Sequence, residues 1–260
     1  MAYKPFDLTG KVALVTGGNG GIGFGMVEAL AQAGADVVVW GSNAEKNARA
    51  EAALKPLGVK VLVQKVDVSD EKAVAEGFAK AVETMGRVDT VIANAGIGLK
   101  GNAFVDIPTA DYRKILSVNL DGVFFTFREA CKHMIARAQG GDPGGSLVAI
   151  SSLSAIDGAA RNEHYAATKG ALLAMIKGLA VEHARYGVRA NSVLPGWIAT
   201  DMTQNAQDSD VFTTKVISRV PMRRWGEPSD FGGIAVYFAS DASKFHTGDS
   251  FVIDGGYTIF

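Results

Sequence analysis

Cysteine occurs once in this 260-residue chain, at Cys131. A single thiol excludes an intrachain disulfide and any zinc site built on cysteine pairs, and Cys131 reads as a small apolar core residue on a helix. Histidine is scarce too. His133, His164, His183 and His246 show neither an HExxH run nor paired spacing, so no metal is expected. Charge of one sign is missing: 26 Lys+Arg against 27 Asp+Glu leave a net charge of −1. Such a surface offers no field for a polyanion, and no nucleic-acid partner is expected. Long apolar runs are missing as well, because the best candidate, Gly170 to Val181, is short and carries Lys177. No membrane partner is expected. The N-terminal MAYKPFDLTGKVALVT has no basic stretch leading into an apolar segment and a cleavage site, so the expectation is a cytoplasmic protein from a reducing compartment.

What is abundant is glycine, at 31 residues, well above the usual share of about 7%. Apolar residues make up 48% and charged residues 20%, the balance of a globular chain. Short apolar runs alternate with helical patterns. Strands are expected at Lys11–Thr16, Asp36–Trp40, Val59–Val66, Val88–Ala93, Leu147–Ile150, Val188–Leu194 and Ser250–Ile253. Helices are expected at Gly21–Ala33, Glu45–Leu54, Glu71–Met85, Glu163–Tyr186 and Ser229–Ser240, with a long one from Thr109 to Ala138 broken near Ser117. Parallel neighbours need crossover connections, so the pattern predicts an α/β fold: a doubly wound seven-stranded parallel sheet in a single domain spanning 1–260. The stretch Trp197–Trp225 has the least pattern and is too long for an ordinary connection, which marks it as a substrate-covering segment.

The first strand ends in Thr16-Gly17-Gly18-Asn19-Gly20-Gly21-Ile22-Gly23. Glycines permit a sharp turn and let backbone N–H groups approach a pyrophosphate at a helix N-terminus. Two spacings fit, Gly18-x-Gly20-x-x-Gly23 and the wider Gly17-x-x-x-Gly21-x-Gly23. The wider form, TGxxxGIG, resembles the short-chain dehydrogenase/reductase superfamily. Further motifs of that family follow in order: Asp67-Val68, Asn94-Ala95-Gly96, Asn119, Ser152, the pair Tyr165 and Lys169, Pro195-Gly196, and Thr200. The match covers about residues 8 to 256.

The resemblance implies a catalytic group of Asn119, Ser152, Tyr165 and Lys169. Tyr165 and Lys169 are four apart on a predicted helix and share a face, as a plain packing pair would. A neighbouring cation favours phenolate; lowering a phenol by about three units takes roughly 4 kcal/mol of preferential interaction. Among the loop hydroxyls Ser151, Ser152 and Ser154, the resemblance selects Ser152 as donor to the substrate oxygen. By its position Asn119 reads as an exposed helix residue or a cap of the second helical segment; the resemblance implies a kink-associated Asn whose carbonyl holds a water linking Lys169 to solvent. His164 projects about 100° from Tyr165 and takes no role.

The resemblance also assigns cofactor contacts. Gly17, Asn19, Gly21, Ile22 and Gly23 would hold the pyrophosphate turn; Asp67 and Val68 would hold adenine. Asn94, Ala95 and Gly96 would floor the cofactor. Tyr165 and Lys169 would touch the nicotinamide ribose. Pro195, Gly196, Ile198 and Thr200 would fix the carboxamide. After the second strand, enzymes that use NAD usually place an acid for the ribose 2′-OH; here the sequence runs Gly41, Ser42, Asn43. Ser42 and Asn43 can hydrogen-bond a 2′-phosphate and Lys46 can reach it, so NADP(H) is favoured over NAD(H). The expected activity is an oxidoreductase moving a hydride between a nicotinamide cofactor and a small-molecule ketone or secondary alcohol. The class includes 3-oxoacyl-thioester, sugar-acid, polyol and steroid substrates. Segments Gly96–Ala103, Leu153–Arg161 and Trp197–Trp225 would line the pocket, with Ile156, Trp197, Met202 and Phe212 as apolar surround. Phe124, Phe125, Phe127 and the end Tyr257–Phe260 suit a homotetramer. The rival readings are a catalytically silent dinucleotide sensor or scaffold, and an isomerase or dehydratase with a tightly held cofactor.

Overall fold

The structure, a computed structural model, describes residues 3–99 and 101–260. Its strands are β1 (Val12–Thr16), β2 (Asp36–Gly41), β3 (Val61–Lys65), β4 (Thr90–Ala93), β5 (Gly145–Ile150), β6 (Val188–Pro195) and β7 (Ser250–Ile253). They form a seven-stranded parallel sheet in the order β3-β2-β1-β4-β5-β6-β7. The chain leaves β1 first in one direction and then, after β3, in the other. That reversal puts a crevice beyond the carboxyl ends of β1 and β4, where ligands bind in such sheets.

Both faces of the sheet are apolar because successive side chains alternate across it. Val12, Leu14, Val38 and Trp40 point to one side. There they meet Phe78 of α3 (Glu71–Met85), Phe127 of the long helix Gly122–Gln139, and Leu172 of the helix Glu163–His183. Ala13, Val15, Val37 and Val39 point to the other side, against Met26 and Leu30 of α1 (Gly21–Gln32) and Phe238 of the helix Gly232–Ala239. The remaining helices are α2 (Ala44–Leu54), α4 (Thr109–Leu116), α7 (Gln204–Gln207) and α8 (Asp210–Arg219); the three long ones just named are α5, α6 and α9 in chain order. Asn43 caps α2 and Asp70 caps α3, each accepting from backbone N–H groups of the first turn.

The expected break near Ser117 is a turn of π-helix, Ser117–Asp121, between α4 and α5. The predicted helix to Tyr186 ends at His183 and continues as a 3₁₀ turn. The segment 197–225 is more ordered than its sequence suggests, since it holds α7 and α8. Only Val216 of α8 is buried and Val211 is exposed, so no apolar stripe announces that helix. At the opposite end of the sheet, buried Asp89 accepts from Val12 N–H and from the Arg87 guanidinium, tying β4 to β1. Cys131 is buried, and desolvation pushes its thiol up to about 12. Among the described residues no group of His, Cys, Asp and Glu is arranged to hold a metal ion, and no helix is long and apolar enough to cross a membrane.

α1 lies against the segment entering α9 because its facing residues are small. A Cβ on Gly25 would sit 2.3 Å from the Pro228 carbonyl oxygen, and one on Gly232 would sit 2.7 Å from the Ala29 methyl. Backbone cannot yield as a flexible side chain can, so Gly25→Ala forces the two elements apart. We expect that variant to lose about 1–3 kcal/mol in urea denaturation; an unchanged midpoint would show that the contact is not tight.

Candidate active site

The glycine turn sits at the end of β1 in a backbone shape that side chains resist: Gly17 has φ +62° and Gly21 φ +51°. A Cβ on Gly23 would lie 2.4 Å from the Gly17 carbonyl oxygen. The turn is fixed to β4 through Asn94, which donates from Nδ2 to Thr16 O at 3.0 Å and to Gly17 O at 3.2 Å. In return, Thr16 Oγ1 accepts from the N–H groups of Asn94 and Ala95. α1 then starts from Gly20 with no side-chain cap and no acidic residue in its first turn. Its leading N–H groups and the positive end of its dipole are left for a ligand anion. These features fit a dinucleotide pyrophosphate, held by Gly17, Gly21, Ile22 and Gly23. Across the crevice, the Thr200 methyl faces Gly21, 3.3 Å from where a Cβ would stand.

The adenosine end is shaped by residues that the sequence does not single out. Buried Asn47 donates to Gly41 O and Gln64 O and accepts from Asn19 Nδ2 at 2.7 Å. A Cβ at Gly41 would strike both amides, so this position excludes any acid. Ser42 is exposed there. Asn43 Oδ1 accepts from Lys46 N–H as the α2 cap, and Lys46 Nζ is paired with Asp201 Oδ2 at 2.6 Å. Asp67 follows β3 with its carboxylate held below the usual range by hydrogen bonds from Ser69. The Val68 side chain is buried and packs on Gly122, so only its backbone can meet adenine.

α6 carries Tyr165 and Lys169 on the face turned to the sheet. Lys169 Nζ lies 5.5 Å from the Tyr165 ring centroid and donates to Ile150 O at 2.8 Å. Ser151 donates to Lys169 O, while the Ser152 hydroxyl acts on Tyr165 to favour its phenolate and accepts from Ser154 N–H. Asn119, in the π-turn, is wholly buried. Its amide clamps Ile97 from both sides, donating to Ile97 O at 2.9 Å and accepting Ile97 N–H at 2.8 Å. A Cβ on Gly96 would lie 3.4 Å from Asn119 Oδ1 and 3.5 Å from Lys169 Nζ. Gly96 is therefore the small residue on which Asn119 and Lys169 converge. His164 is buried beside the site.

Acidification of the Tyr165 phenol is expected from Lys169 and an oxidised nicotinamide acting together; in the protein alone burial raises this phenol above its ordinary value of 10.0, with the Ser152 hydroxyl pulling the other way. Desolvation also acts on Lys169 and lowers its ammonium from 10.5 to about 8. Both charged forms are costly in a site this dry.

The covering segment reaches the site through its first residues. Met202 faces Gly98, and Gly101 lies against the Arg161 backbone; Arg161 holds φ +66°. The expected wall Gly96–Ala103 includes Lys100, which lies outside the described residues. Ile156 and Met202 are more than half exposed. Trp197 stacks edge-on with Phe212 and Trp225 and borders a 490 Å³ cavity with Lys215, Val216, Arg219 and Tyr257. None of the four expected catalytic residues lines that cavity. The Ile198 side chain packs into the core over Gly226, so its backbone alone can face a carboxamide, and Pro195-Gly196 closes β6 against Asp254. From sequence, Asn47 and Asp201 carry no role, and Thr16 and Ser151 are named without the contacts they make here. Polar Asn47 in an Ala-rich helix was a signal for the first clamp; nothing local announced Asp201.

A family model described as enoyl-(acyl carrier protein) reductase matches residues 17–258. Gluconate 5-dehydrogenase of Gluconobacter oxydans is 35% identical over 254 residues, covering 98% of this chain and 97% of that protein. The chain belongs to the short-chain dehydrogenase/reductase family. Another member, the NADP-dependent (R)-specific alcohol dehydrogenase of Lentilactobacillus kefiri, is 40% identical over 253 residues, with 96% and 98% of the two chains covered. The crystal structure of a gluconate 5-dehydrogenase from Burkholderia cenocepacia in complex with NADP and tartrate superposes with a TM-score of 0.91 at 33% identity, covering 98% and 97%. As a short-chain dehydrogenase/reductase, the protein is a nicotinamide-dependent oxidoreductase acting on CH–OH and C=O groups.

Lys169 makes the site expensive to fold. Its folded value of about 8 lies below the unfolded 10.5, so below pH 8 the buried ammonium costs about 3 kcal/mol. Between these values the unfolded chain binds more protons, and stability rises with pH. Lys169→Met removes the charge but leaves Ile150 O unpaired. We expect that variant to be more stable at pH 7 by on the order of 1 kcal/mol, with the gap closing as the pH rises from 8 to 10. A pH-independent difference in urea midpoints would contradict the assignment.

Proposed function

We propose that this protein is a carbonyl reductase or alcohol dehydrogenase in which Asn119, Ser152, Tyr165 and Lys169 form the catalytic group. The observation that carries the reading is the placement of Tyr165 and buried Lys169 together on one face of α6, with Lys169 Nζ 5.5 Å from the Tyr165 ring centroid and donating to Ile150 O at the end of β5, at the strand ends that also hold the glycine turn. When bound, the nicotinamide supplies or accepts the hydride. Tyr165 delivers the proton to the carbonyl oxygen in reduction and removes it from the alcohol in oxidation. Ser152 donates to the same oxygen and stabilises the charge that develops there. Lys169 moves a proton toward Tyr165 readily, because its ammonium is held near pH 8. Asn119 positions Ile97 and the loop that would lie beneath the substrate, and we assign its carbonyl the water that would link Lys169 to solvent.

NADP(H) is favoured over NAD(H). Support comes from the absence of an acid at Gly41 and Ser42 that would repel a 2′-phosphate, and from the relatives named for NADP. The substrate is a ketone or secondary alcohol. Sugar acids have support in the gluconate-named relatives, while the apolar faces of Ile156 and Met202 suit a less polar carbonyl. Residues 197–225 cover the pocket. All four catalytic positions are filled, which counts against a silent sensor or scaffold. Exposed Phe124 on α5, Val252 on the edge strand β7, and Ile259 and Phe260 at the end suit a homotetramer. The buried, unpaired Cys131 suits the cytoplasm.

Tyr165→Phe should lower kcat with a panel of ketones by about 1,000-fold or more, and Ser152→Ala by about 100- to 1,000-fold, followed through the absorbance of the reduced nicotinamide. Turnover at the wild-type rate in Tyr165→Phe would remove the mechanism. Light scattering of the wild-type protein at micromolar concentration is expected to give the mass of four chains; a monomer would end the assembly reading.

A further inference from the structure

Lys46 and Asp201 are 155 positions apart in sequence, yet their side chains meet at 2.6 Å. Each comes from an element with a separate task. Lys46 lies in the first turn of α2, just after Ser42 and the glycine at the adenosine end. Asp201 directly follows Thr200, opens the 3₁₀ turn Asp201–Thr203, and so heads the covering segment. The turn holding Asp201 is itself firm: Thr203 Oγ1 donates to Ile198 O at 2.6 Å, and Thr200 N–H donates to Thr203 Oγ1. Lys46, together with Arg49, holds the Asp201 carboxylate below its usual range, and Arg49 lies one turn further along α2. The carboxylate therefore occupies a cationic position at the start of α2, next to the turn after β2 where sheets of this kind receive an adenosine ribose.

We propose that Asp201 is an internal stand-in for the 2′-phosphate of the cofactor, and that competition between the two anions for Lys46 sets how strongly this enzyme discriminates NADP(H) from NAD(H). The inference rests on the dinucleotide reading of the crevice. The two anions have the same chemistry toward an ammonium: each offers oxygens for a charge-assisted hydrogen bond. The carboxylate carries one charge on an exposed side chain, 84% accessible against 38% for Lys46. Exposed pairs of this kind hold their partner weakly. A phosphate carrying up to two negative charges can displace it, at some loss of affinity. A nucleotide lacking the 2′-phosphate leaves the pair intact and carries no such cost. Asp201 thus lowers selectivity for the phosphorylated cofactor, and Lys46 creates it.

The test uses calorimetric binding of adenosine 2′,5′-bisphosphate and of 5′-AMP to the intact protein, without turnover. Asp201→Asn keeps the shape of the side chain and releases Lys46. It should tighten the bisphosphate about three- to fivefold and leave 5′-AMP within about twofold. Lys46→Gln should weaken the bisphosphate about tenfold and make Asp201→Asn silent when the two are combined. Equal effects of Asp201→Asn on both nucleotides, no effect on either, or an undiminished effect in the Lys46→Gln background would each overturn the proposal. A wild-type protein that prefers 5′-AMP, with the bisphosphate gaining only in Asp201→Asn, would support the competition while refuting the cofactor preference given above.

Discussion

An ammonium buried beside a phenol is the constraint on which the rest of this structure depends. Water solvates both charged forms well, and the protein removes it from Lys169 and from much of Tyr165, which stays partly exposed. The ammonium survives near neutrality because Ile150 O accepts its hydrogen bond, and the phenol is stabilised by Ser152 alone among neighbouring hydroxyls. A site this dry stores a tendency to trade protons: neither group is settled in its charged state, so a small change in local charge shifts both. The cationic form of an oxidised nicotinamide is such a change. Preparation of this kind costs folding free energy, which the two apolar layers over the sheet offset.

Placement of that pair follows from the order of the strands. β4 ends beside β1 and β5 beside β4, and the loops after them carry Gly96 and Ser152 to the same edge that carries the glycine turn. Precision then comes from short-range polar locks. Asn94 fixes the turn to β4, Asn119 fixes Ile97, and Ser151 fixes α6 to the end of β5. Each lock is an uncharged group satisfying backbone atoms that would otherwise be unpaired in a buried place. The charged groups are thereby spared for chemistry.

Much of this was legible from residues alone. The alternation of apolar runs and helical stretches determines a parallel sheet, and the glycines after Thr16 mark where its ligand enters. The helical spacing of Tyr165 and Lys169 places them on one face. Three things were not legible, each for a physical reason. Ser151 and Ser152 are chemically alike, and only the three-dimensional position of α6 decides which one is spent on Lys169 O. The sign of the shift at Tyr165 depends on burial, which adjacent charge alone does not reveal. α8 buries Val216 alone, so its periodicity is too faint to stand out in 197–225. Contacts such as Asn19 with Asn47 are set by the fold and leave no local trace.

The π-turn at Ser117–Asp121 behaves as a helix with one residue too many. Deleting a residue there would restore regular α-helical geometry and leave α4 and α5 in place, because the wider turn is what absorbs the extra residue. The Asn119 amide would leave Ile97, whereas the outer surface of the helix would barely register the loss. Chain length in this stretch is therefore under tighter constraint than composition: many side chains between Tyr112 and Phe124 tolerate exchange, but the count of residues does not.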